Sequence, residues 1–400
     1  MDVTKMCDVG ELNFTEGARA GMDLPRRVYV FDETIREGEE TPGVTMTIKD
    51  KVDICVKLEE AGVYETNTGY VAYIPEHAEV CREVHKVCKK LRLNGYIRAH
   101  GGGDLEKDLE FALSLPMDQI DINIPCSEYQ FRIKGITKEY TLDRAVHAIS
   151  TAKKLGHKNI TFGPFDNTRA DLNFLKKLLQ AGIEAGANRA RVYDTLGVLH
   201  PAATKWWMKE LKSAVNVPIQ YHCHDDFGMA VANTCAAVEG GAELIDLVVN
   251  GLGDRAGNCS MEETVMALEC LYHVDTGFRL EKLMELSQMV ERISQIALPK
   301  NKPIVGSNTF IHEADIHVAA ILSGRTDTFE PFKPELVGQK RQIYFGSTTS
   351  SDSVISLAEN RNLKLDASRV DDILERINKE VDRKGYASDS EVEQFIKALK

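Results

Sequence analysis

Short apolar runs rich in β-branched and aromatic residues alternate with amphipathic segments over residues 27–275. The first unit joins an apolar run at residues 28–31 to a segment at 48–61, where Val52, Val56 and Leu58 recur among charged residues. Runs bounded by polar turns are typical of buried strands, and apolar residues three or four positions apart predict helices. Seven more units follow. Their predicted strands are at residues 63–66, 96–99, 120–124, 159–162, 189–193, 218–222 and 244–249. Their predicted helices are at residues 76–91, around 109 and 113, and at 144–155, 172–185, 201–215, 229–239 and 261–271.

Eight consecutive strand-helix units predict a (β/α)₈ TIM barrel. A doubly wound open sheet is the alternative, but no Gly-x-Gly-x-x-Gly sequence follows the first strand, and eight regular units favour closure. After residue 275 the strand pattern stops, and helical patterns cover residues 280–297 and 367–400. We therefore predict an α/β protein with an N-terminal extension at 1–26, a catalytic barrel at 27–275 and a small, mostly helical C-terminal appendage at 276–400.

Composition limits the range of partners. The chain has 400 residues, a net charge of −12 and no cluster of Lys and Arg, so we do not expect it to bind nucleic acid. No apolar run approaches the ~20 residues that cross a bilayer, so we expect no membrane partner. The nine cysteines lack paired Cys-x-x-Cys spacing, which favours reduced thiols and a cytoplasmic location. With this charge, an anionic substrate requires local positive charge from an arginine or a metal.

Polar side chains follow the first and seventh predicted strands, at the end of the barrel where this fold places its active site. His222 and His224 are two positions apart in a strand, so both imidazoles point to one face. Glu37 follows strand 1 and adds a carboxylate. Such a set suits Zn²⁺ or Mn²⁺, and also Mg²⁺ if water and substrate fill the remaining positions. We therefore predict that these three residues bind a divalent metal ion that activates a small oxo-acid.

Neighbouring residues support this hypothesis, and a simpler alternative exists. Asp225 or Asp226 is placed to orient a ligating imidazole. Arg36 carries a fixed charge suited to an enolate or a carboxylate. Residues 250–258 form a glycine-rich loop, which would let the backbone approach a ligand closely. The alternative is that the two histidines only form hydrogen bonds within their loops.

Residues 32–40, 222–233 and 251–258 form three long motifs at strand ends. They resemble the signature sequences of the DRE-TIM metallolyases, which include isopropylmalate, citramalate and homocitrate synthases and hydroxymethylglutaryl-CoA lyase. In the appendage, residues 310–317 and 337–341 resemble segments of the homocitrate synthases. The resemblance implies a divalent metal cofactor, with acetyl-CoA and a 2-oxo acid as substrates.

The resemblance also implies roles for individual residues. Glu37, His222 and His224 would bind the metal, and Asn258 would lie at or near it. Arg36 would polarise the substrate carbonyl and offset charge on the developing alkoxide.

In the appendage, the resemblance assigns His317 to removing a proton from the acetyl-CoA methyl group, which needs a base and a positioned positive field. It further implies that the appendage at 276–400 serves as a lid and as a dimerisation element, so that a homodimer would bring His317 to the partner's barrel. The predicted substrate contacts are Arg36, Glu40, Arg98, His100, Thr161 and Thr195.

Several positions of the acceptor pocket depart from the homocitrate synthase pattern. Thr161 and Gly163 stand where the family carries an Arg and a Ser that hold the substrate's distal carboxylate, and Glu40 replaces a Gln. Because an Arg-to-Thr exchange removes a bidentate clamp, we expect weaker selection for 2-oxoglutarate.

The predicted acid/base residues depart from the pattern as well. Phe165 stands in place of a catalytic Glu, and Phe329 replaces a tyrosine of the appendage. His317 therefore lacks its expected partner unless Asp166 substitutes for it, which makes Asp166 a further candidate catalytic residue.

The hypothesis that follows is a metal-dependent Claisen-type acyltransferase, which joins acetyl-CoA to a 2-oxo acid and gives a 2-hydroxy di- or tricarboxylate. One alternative is a lyase that cleaves a hydroxyacyl-CoA in the reverse sense, but the position of Cys259 does not match the reactive cysteine of such lyases. The other alternative is a metal-binding paralogue with changed activity, suggested by Phe165 and Phe329.

Overall fold

The computed structural model describes residues 3–101 and 103–399 and confirms the predicted (β/α)₈ barrel. All eight strands are parallel, and β1 closes the barrel by pairing with both β2 and β8. The strands are β1 (Tyr29–Asp32), β2 (Glu65–Asn67), β3 (Arg92–Arg98), β4 (Gln119–Pro125), β5 (Ile160–Phe165), β6 (Arg189–Asp194), β7 (Ile219–Cys223) and β8 (Leu244–Leu247).

Helices follow the strands in the predicted order, and the local sequence explains where several of them begin. Thr47 and Asp50 form a capping box at the start of the first long helix, and a proline occupies the first turn of the helix that begins at Pro201. The helices of this part are α1 (Glu16–Arg19), α2 (Ile48–Ala61), α3 (Pro75–Val87), α4 (Leu105–Leu113), α5 (Glu128–Lys134), α6 (Lys138–Leu155), α7 (Leu172–Glu184), α8 (Pro201–Lys212), α9 (Ala230–Glu239), α10 (Met261–Met266, followed by a π-helical segment at Ala267–Tyr272) and α11 (Leu283–Ser294).

The connection after β4 contains a helix that the periodicity did not predict. Ser127 caps the N-terminus of α5, and Gly135 ends it with a φ of 64°, a conformation that favours glycine. The next helix, α6, begins at Lys138 instead of about residue 144 because Thr137 caps it. Seven residues are too few for a helical period to stand out, so α5 was hidden in the sequence.

Charged side chains, rather than the usual branched apolar ones, occupy the middle of the barrel. The guanidinium of Arg191 contacts Glu33, Asp121 and Asp246, and it donates to the Tyr96 hydroxyl. Its Nη1 lies 2.9 Å from the Asp121 carboxylate and its Nε 2.8 Å from that of Asp246. Arg191, Glu33 and Asp121 are fully buried. The side chain of Arg191 therefore links β6 to β4, to β8 and to the residue that follows β1.

The chain divides into two compact units between Leu298 and Pro299, later than the end of the strand pattern at residue 275. The barrel unit includes α11 because this helix packs against α2. The backbone N–H of Arg279 also donates to the Ala61 carbonyl at 2.7 Å. Among the described residues, no helix is long and apolar enough to cross a membrane.

The second unit combines the residues up to Gly10 with those from Pro299 onward. It is mostly helical, as predicted, but it also contains a three-stranded sheet in the order β11-β10-β9 that the sequence did not predict. Strands of two to four residues leave no alternating pattern to detect. Its elements are β9 (Ile311–His312), α12 (Asp315–Leu322), β10 (Gln342–Phe345), α13 (Ser351–Asn360), α14 (Val370–Lys384), β11 (Ala387–Ser388) and α15 (Asp389–Ala398).

Candidate metal and substrate site

The three predicted metal ligands lie together at the C-terminal end of the barrel. His222 belongs to β7, His224 follows it, and Glu37 opens the short helical turn after β1. The Nε2 atoms of the two histidines are 3.3 Å apart, and His222 Nε2 is 3.8 Å from Glu37 Oε1. One ligand atom from each of the three buried residues lies within 4.8 Å of the others.

This arrangement fits a divalent cation. Ligand atoms about 2.1 Å from one ion lie roughly 3 to 3.5 Å from each other, close to the separations found here. Burial, and then the neighbouring His222, lower the pKa of His224 to about 4, so its imidazole is neutral and has a lone pair to donate. Burial opposes the ionisation of Glu37, but the charge of Arg36 prevails and lowers the pKa of that carboxyl.

Asn258 lies beside Glu37 and His224. Its side-chain amide donates to Glu37 Oε2 at 3.3 Å, and its backbone forms an isolated bridge with His224. In this geometry Asn258 fixes the orientation of one ligand and the backbone of another.

Asp246, in β8, is the carboxylate that orients the His222 imidazole. Its Oδ2 lies 3.0 Å from His222 Nδ1, which leaves Nε2 facing Glu37 and His224. The prediction that Asp225 or Asp226 has this role is wrong. Asp225 accepts a hydrogen bond from the backbone N–H of Ala230, and Asp226 forms an ion pair with Arg255 at 2.8 Å.

We expect Asp246→Asn to lower the affinity for Mn²⁺ by about 10- to 100-fold, because the variant loses the carboxylate that orients the His222 imidazole. Isothermal titration of the metal-free protein with Mn²⁺ measures this effect. Asp226→Asn is the matched control, since its carboxylate contacts no ligand, and its affinity is expected to stay within about twofold of the wild type. Equal affinities of Asp246→Asn and the wild type would contradict the role given to Asp246.

Arg36 is held beside the metal ligands by carboxylates on several sides. Its Nε lies 3.1 Å from Glu33 and its Nη1 3.3 Å from Glu40, and Nη2 contacts Glu37. Nη2 also donates to the Tyr96 hydroxyl at 3.2 Å. Although burial disfavours its charge, these carboxylates raise the pKa of Arg36 well above the usual value, so the guanidinium stays ionised.

The metal ligands form part of the wall of a cavity of about 460 Å³. Four of the predicted substrate contacts line it as well, namely Arg36, Arg98, His100 and Thr195, and so does Phe165. Seven further lining residues were not predicted: Tyr70, Tyr96, Asn123, Lys134, Tyr193, Asp254 and Arg255. The period-two rule that identified His222 and His224 would have found Asn123, because it points to the same face of β4 as Asp121. Asp254 and Arg255 lie in the glycine-rich loop already singled out.

Glu40 and Thr161 do not line this cavity. Glu40 acts through its ion pair with Arg36. Thr161 is fully buried, and its hydroxyl accepts a hydrogen bond from Gln119 Nε2 at 3.0 Å. It precedes Phe165 by four residues, which at ~3.3 Å per residue puts it about 13 Å further back along β5. The structure therefore places Thr161 below the predicted substrate site.

Asp166, which lies in the same unit, does not line this cavity either. Arg169 Nε donates to Asp166 at 2.8 Å, and Ser127 donates to its other carboxylate oxygen, so the carboxylate is fully engaged. The Asp166 N–H donates to Thr195 Oγ1 at 3.1 Å, which makes Asp166 a residue that positions Thr195. His317 lies in α12 of the second unit, where its ring stacks on Phe329 with 3.8 Å between centroids.

Comparison with known proteins identifies the family of this chain. The HMGL-like family model matches residues 27–290, and the homocitrate synthase post-HMGL domain-like model matches residues 304–385. The homocitrate synthase AksA of Methanopyrus kandleri is 39% identical over 378 residues, which cover 94% of this chain and 93% of that protein. The 2-isopropylmalate synthase of Methanocaldococcus jannaschii is 36% identical over 385 residues, which cover 95% of this chain and 73% of that protein.

A solved structure shows the same fold. The HMG-CoA lyase of Bacillus subtilis matches with a TM-score of 0.60 and 20% identity, over 70% of this chain and 97% of that chain. At this identity the likeness shows the barrel fold alone. The matched family models and the two synthases carry the assignment: the chain belongs to the HMGL-like family, and the resemblance to the DRE-TIM metallolyases that its motifs predict is confirmed.

Proposed function

We propose that this protein catalyses the metal-dependent, Claisen-type condensation of acetyl-CoA with a 2-oxo acid. The observation that supports it best is the convergence of Glu37, His222 and His224 beside an ionised Arg36 in the wall of one cavity. The relatives that cover most of the chain are named as homocitrate, 2-isopropylmalate and (R)-citramalate synthases. The product would be a 2-hydroxy di- or tricarboxylate.

Glu37, His222 and His224 would hold the metal, and Asn258 and Asp246 would keep those ligands oriented. A bound Mg²⁺, Mn²⁺ or Zn²⁺ supplies Lewis acidity that polarises a carbonyl group. Arg36 adds a permanent positive charge at the same place. Because Glu33 and Tyr96 fix its guanidinium, it is preorganised to stabilise negative charge that develops on the oxygen of the oxo group.

Proton removal from the acetyl group is assigned to His317, on the basis of the family resemblance. Among the described residues that line the cavity, β5 contributes Phe165 and no carboxylate. Asp166 is held by Arg169 and Ser127, so its geometry gives no support to a direct acid/base role.

We also propose that the protein is a cytoplasmic homodimer. All nine cysteines lie among the described residues, and no disulfide joins any of them, which suits a reducing compartment. The dimer is proposed from the family resemblance, and light scattering after size-exclusion chromatography tests it.

A lyase that uses a reactive cysteine fits the structure less well. Cys259 is fully buried, and its sulfur lies 3.1 Å from the Thr234 hydroxyl and 3.0 Å from that of Thr264. It does not line the cavity, so it has no access to a substrate bound there.

The proposed function predicts acetyl-CoA-dependent release of free thiol in the presence of a suitable 2-oxo acid. A panel of 2-oxo acids, each tested with Mg²⁺, Mn²⁺ and Zn²⁺, measures this release with a thiol reagent. We expect chelation of the metal to lower the rate by about a hundredfold or more, and added metal to restore it, because Lewis acidity contributes several kcal/mol. Absence of thiol release with every acceptor would refute the proposed function.

A further inference from the structure

The cations that line the cavity fall into two kinds. Arg36 and Arg255 are neutralised by carboxylates, Arg36 by Glu33, Glu37 and Glu40 and Arg255 by Asp226. Arg98 and Lys134 also line the cavity, but neither forms an ion pair with any carboxylate of the described residues.

These unpaired cations lie across the cavity from the metal ligands. The ligands come from β7 and from the segment after β1, which are on either side of β8 in the closed barrel. Arg98 ends β3, and Lys134 ends α5, which directly follows β4. In a closed barrel of eight strands, β3 and β4 stand opposite β7 and β8.

The rest of this far wall is neutral. It consists of the Asn123 amide, the Phe165 ring and the His100 imidazole, whose ring centroid is 5.8 Å from that of Phe165. Burial, and then the nearby Lys134, lower the pKa of His100 to about 4, so this imidazole is uncharged at neutral pH. No carboxylate among the described lining residues comes from β3, β4, α5 or β5.

Two cations without counter-ions, beside neutral and apolar surface, favour a ligand with an anionic end and an apolar middle. Resting on the proposed function, we propose that Lys134, assisted by Arg98, binds a second anionic group at the distal end of the acceptor. Lys134 is then a specificity-determining residue. The enzyme selects 2-oxo acids that carry a distal carboxylate or similar anion over those with a neutral side chain.

Acetyl-CoA offers a second source of anionic groups, because its phosphates could also reach cations at a cavity mouth. The two sources differ in the kinetic constant that depends on Lys134. If Lys134 contacts the acceptor, its replacement changes the preference among acceptors. If Lys134 contacts CoA, its replacement changes the KM for acetyl-CoA and leaves the preference among acceptors unchanged.

The test compares 2-oxoglutarate with its 5-methyl ester, which has nearly the same shape but a neutral end. We expect the wild type to prefer the diacid, and Lys134→Met to lower the ratio of the two kcat/KM values by about 10- to 100-fold, as for loss of a hydrogen bond to a charged group. Lys138→Met is the matched control, because Lys138 pairs with Glu128 at 3.0 Å and does not line the cavity. The ratio of the two kcat/KM values for Lys138→Met should equal that of the wild type.

The proposal is overturned if the wild type prefers the ester, or if Lys134→Met leaves the ratio unchanged, including the case in which only the KM for acetyl-CoA rises. Calorimetric binding of both compounds to the Mn²⁺-loaded protein provides a readout that needs no turnover. If the wild type releases no thiol, the proposed function fails. In that case the ratio of the affinities for 2-oxoglutarate and for its ester, compared between the wild type and Lys134→Met, still decides whether this wall recognises a distal anion.

Discussion

His224→Ala is expected to abolish tight metal binding and to lower kcat by about a thousandfold or more. The variant removes one of the three predicted protein ligands and leaves Glu37 and His222 to hold the metal. Loss of Lewis acidity removes several kcal/mol of transition-state stabilisation. Metal content by atomic emission, together with the rate of thiol release, measures both effects.

His147→Ala is the matched control for this variant. His147 lies exposed on α6, outside the site, so the metal content and rate should stay near those of the wild type. The backbone N–H of His224 donates to the Asp194 carbonyl at 3.2 Å, and alanine keeps this hydrogen bond, so the circular dichroism spectrum of His224→Ala should also match the wild type. A full complement of metal in folded His224→Ala would show that the ligand assignment is wrong.

Arg191→Met is expected to lower the free energy of unfolding by about 3–5 kcal/mol. Removing one partner of a buried ion pair leaves charge without compensation, which costs about this much. Here the residues left behind are Glu33, Asp121 and Asp246, all of which contact the guanidinium. Burial opposes the charge of Glu33, but Arg36 and Arg191 together hold its pKa at about 2. Urea denaturation followed by circular dichroism measures the change.

Arg279→Met separates this effect from the general loss of an arginine. The side chain of Arg279 is exposed, so its replacement should change the free energy of unfolding by no more than about 0.5 kcal/mol. If both variants unfold at the same urea concentration as the wild type, the buried network does not stabilise the barrel.

The sequence predicts those site residues whose positions follow from the alternation of side chains along a strand. His222 and His224 converge because alternate residues of any strand share a face, and Glu37 joins them because the ends of parallel strands meet. Asp246 was missed for the opposite reason. Its contact with His222 depends on the register of β7 against β8, and no local pattern records that register.

Thr161 shows a second limit of sequence patterns. Because side chains alternate along a strand, Thr161, Gly163 and Phe165 share one face of β5. This alternation does not show at which residue of β5 the substrate site begins. Only Phe165 reaches the cavity, while Thr161 contacts Gln119 below it. Lys134 was missed because it belongs to α5, which is too short for its periodicity to be recognised.

The crowded, charged middle of the barrel has a consequence for how this protein can change. Gly163 has no room for a side chain, since a Cβ atom there would lie 2.7 Å from the Tyr193 hydroxyl and 2.9 Å from an Asp121 oxygen. The charges around Arg191 compensate each other only as a set, so single replacements in that layer are costly. Lys134, by contrast, is exposed at the end of α5, a short helix that Ser127 caps and Gly135 ends. New acceptors can therefore evolve, or be engineered, by varying α5 one residue at a time while the reaction chemistry is inherited unchanged.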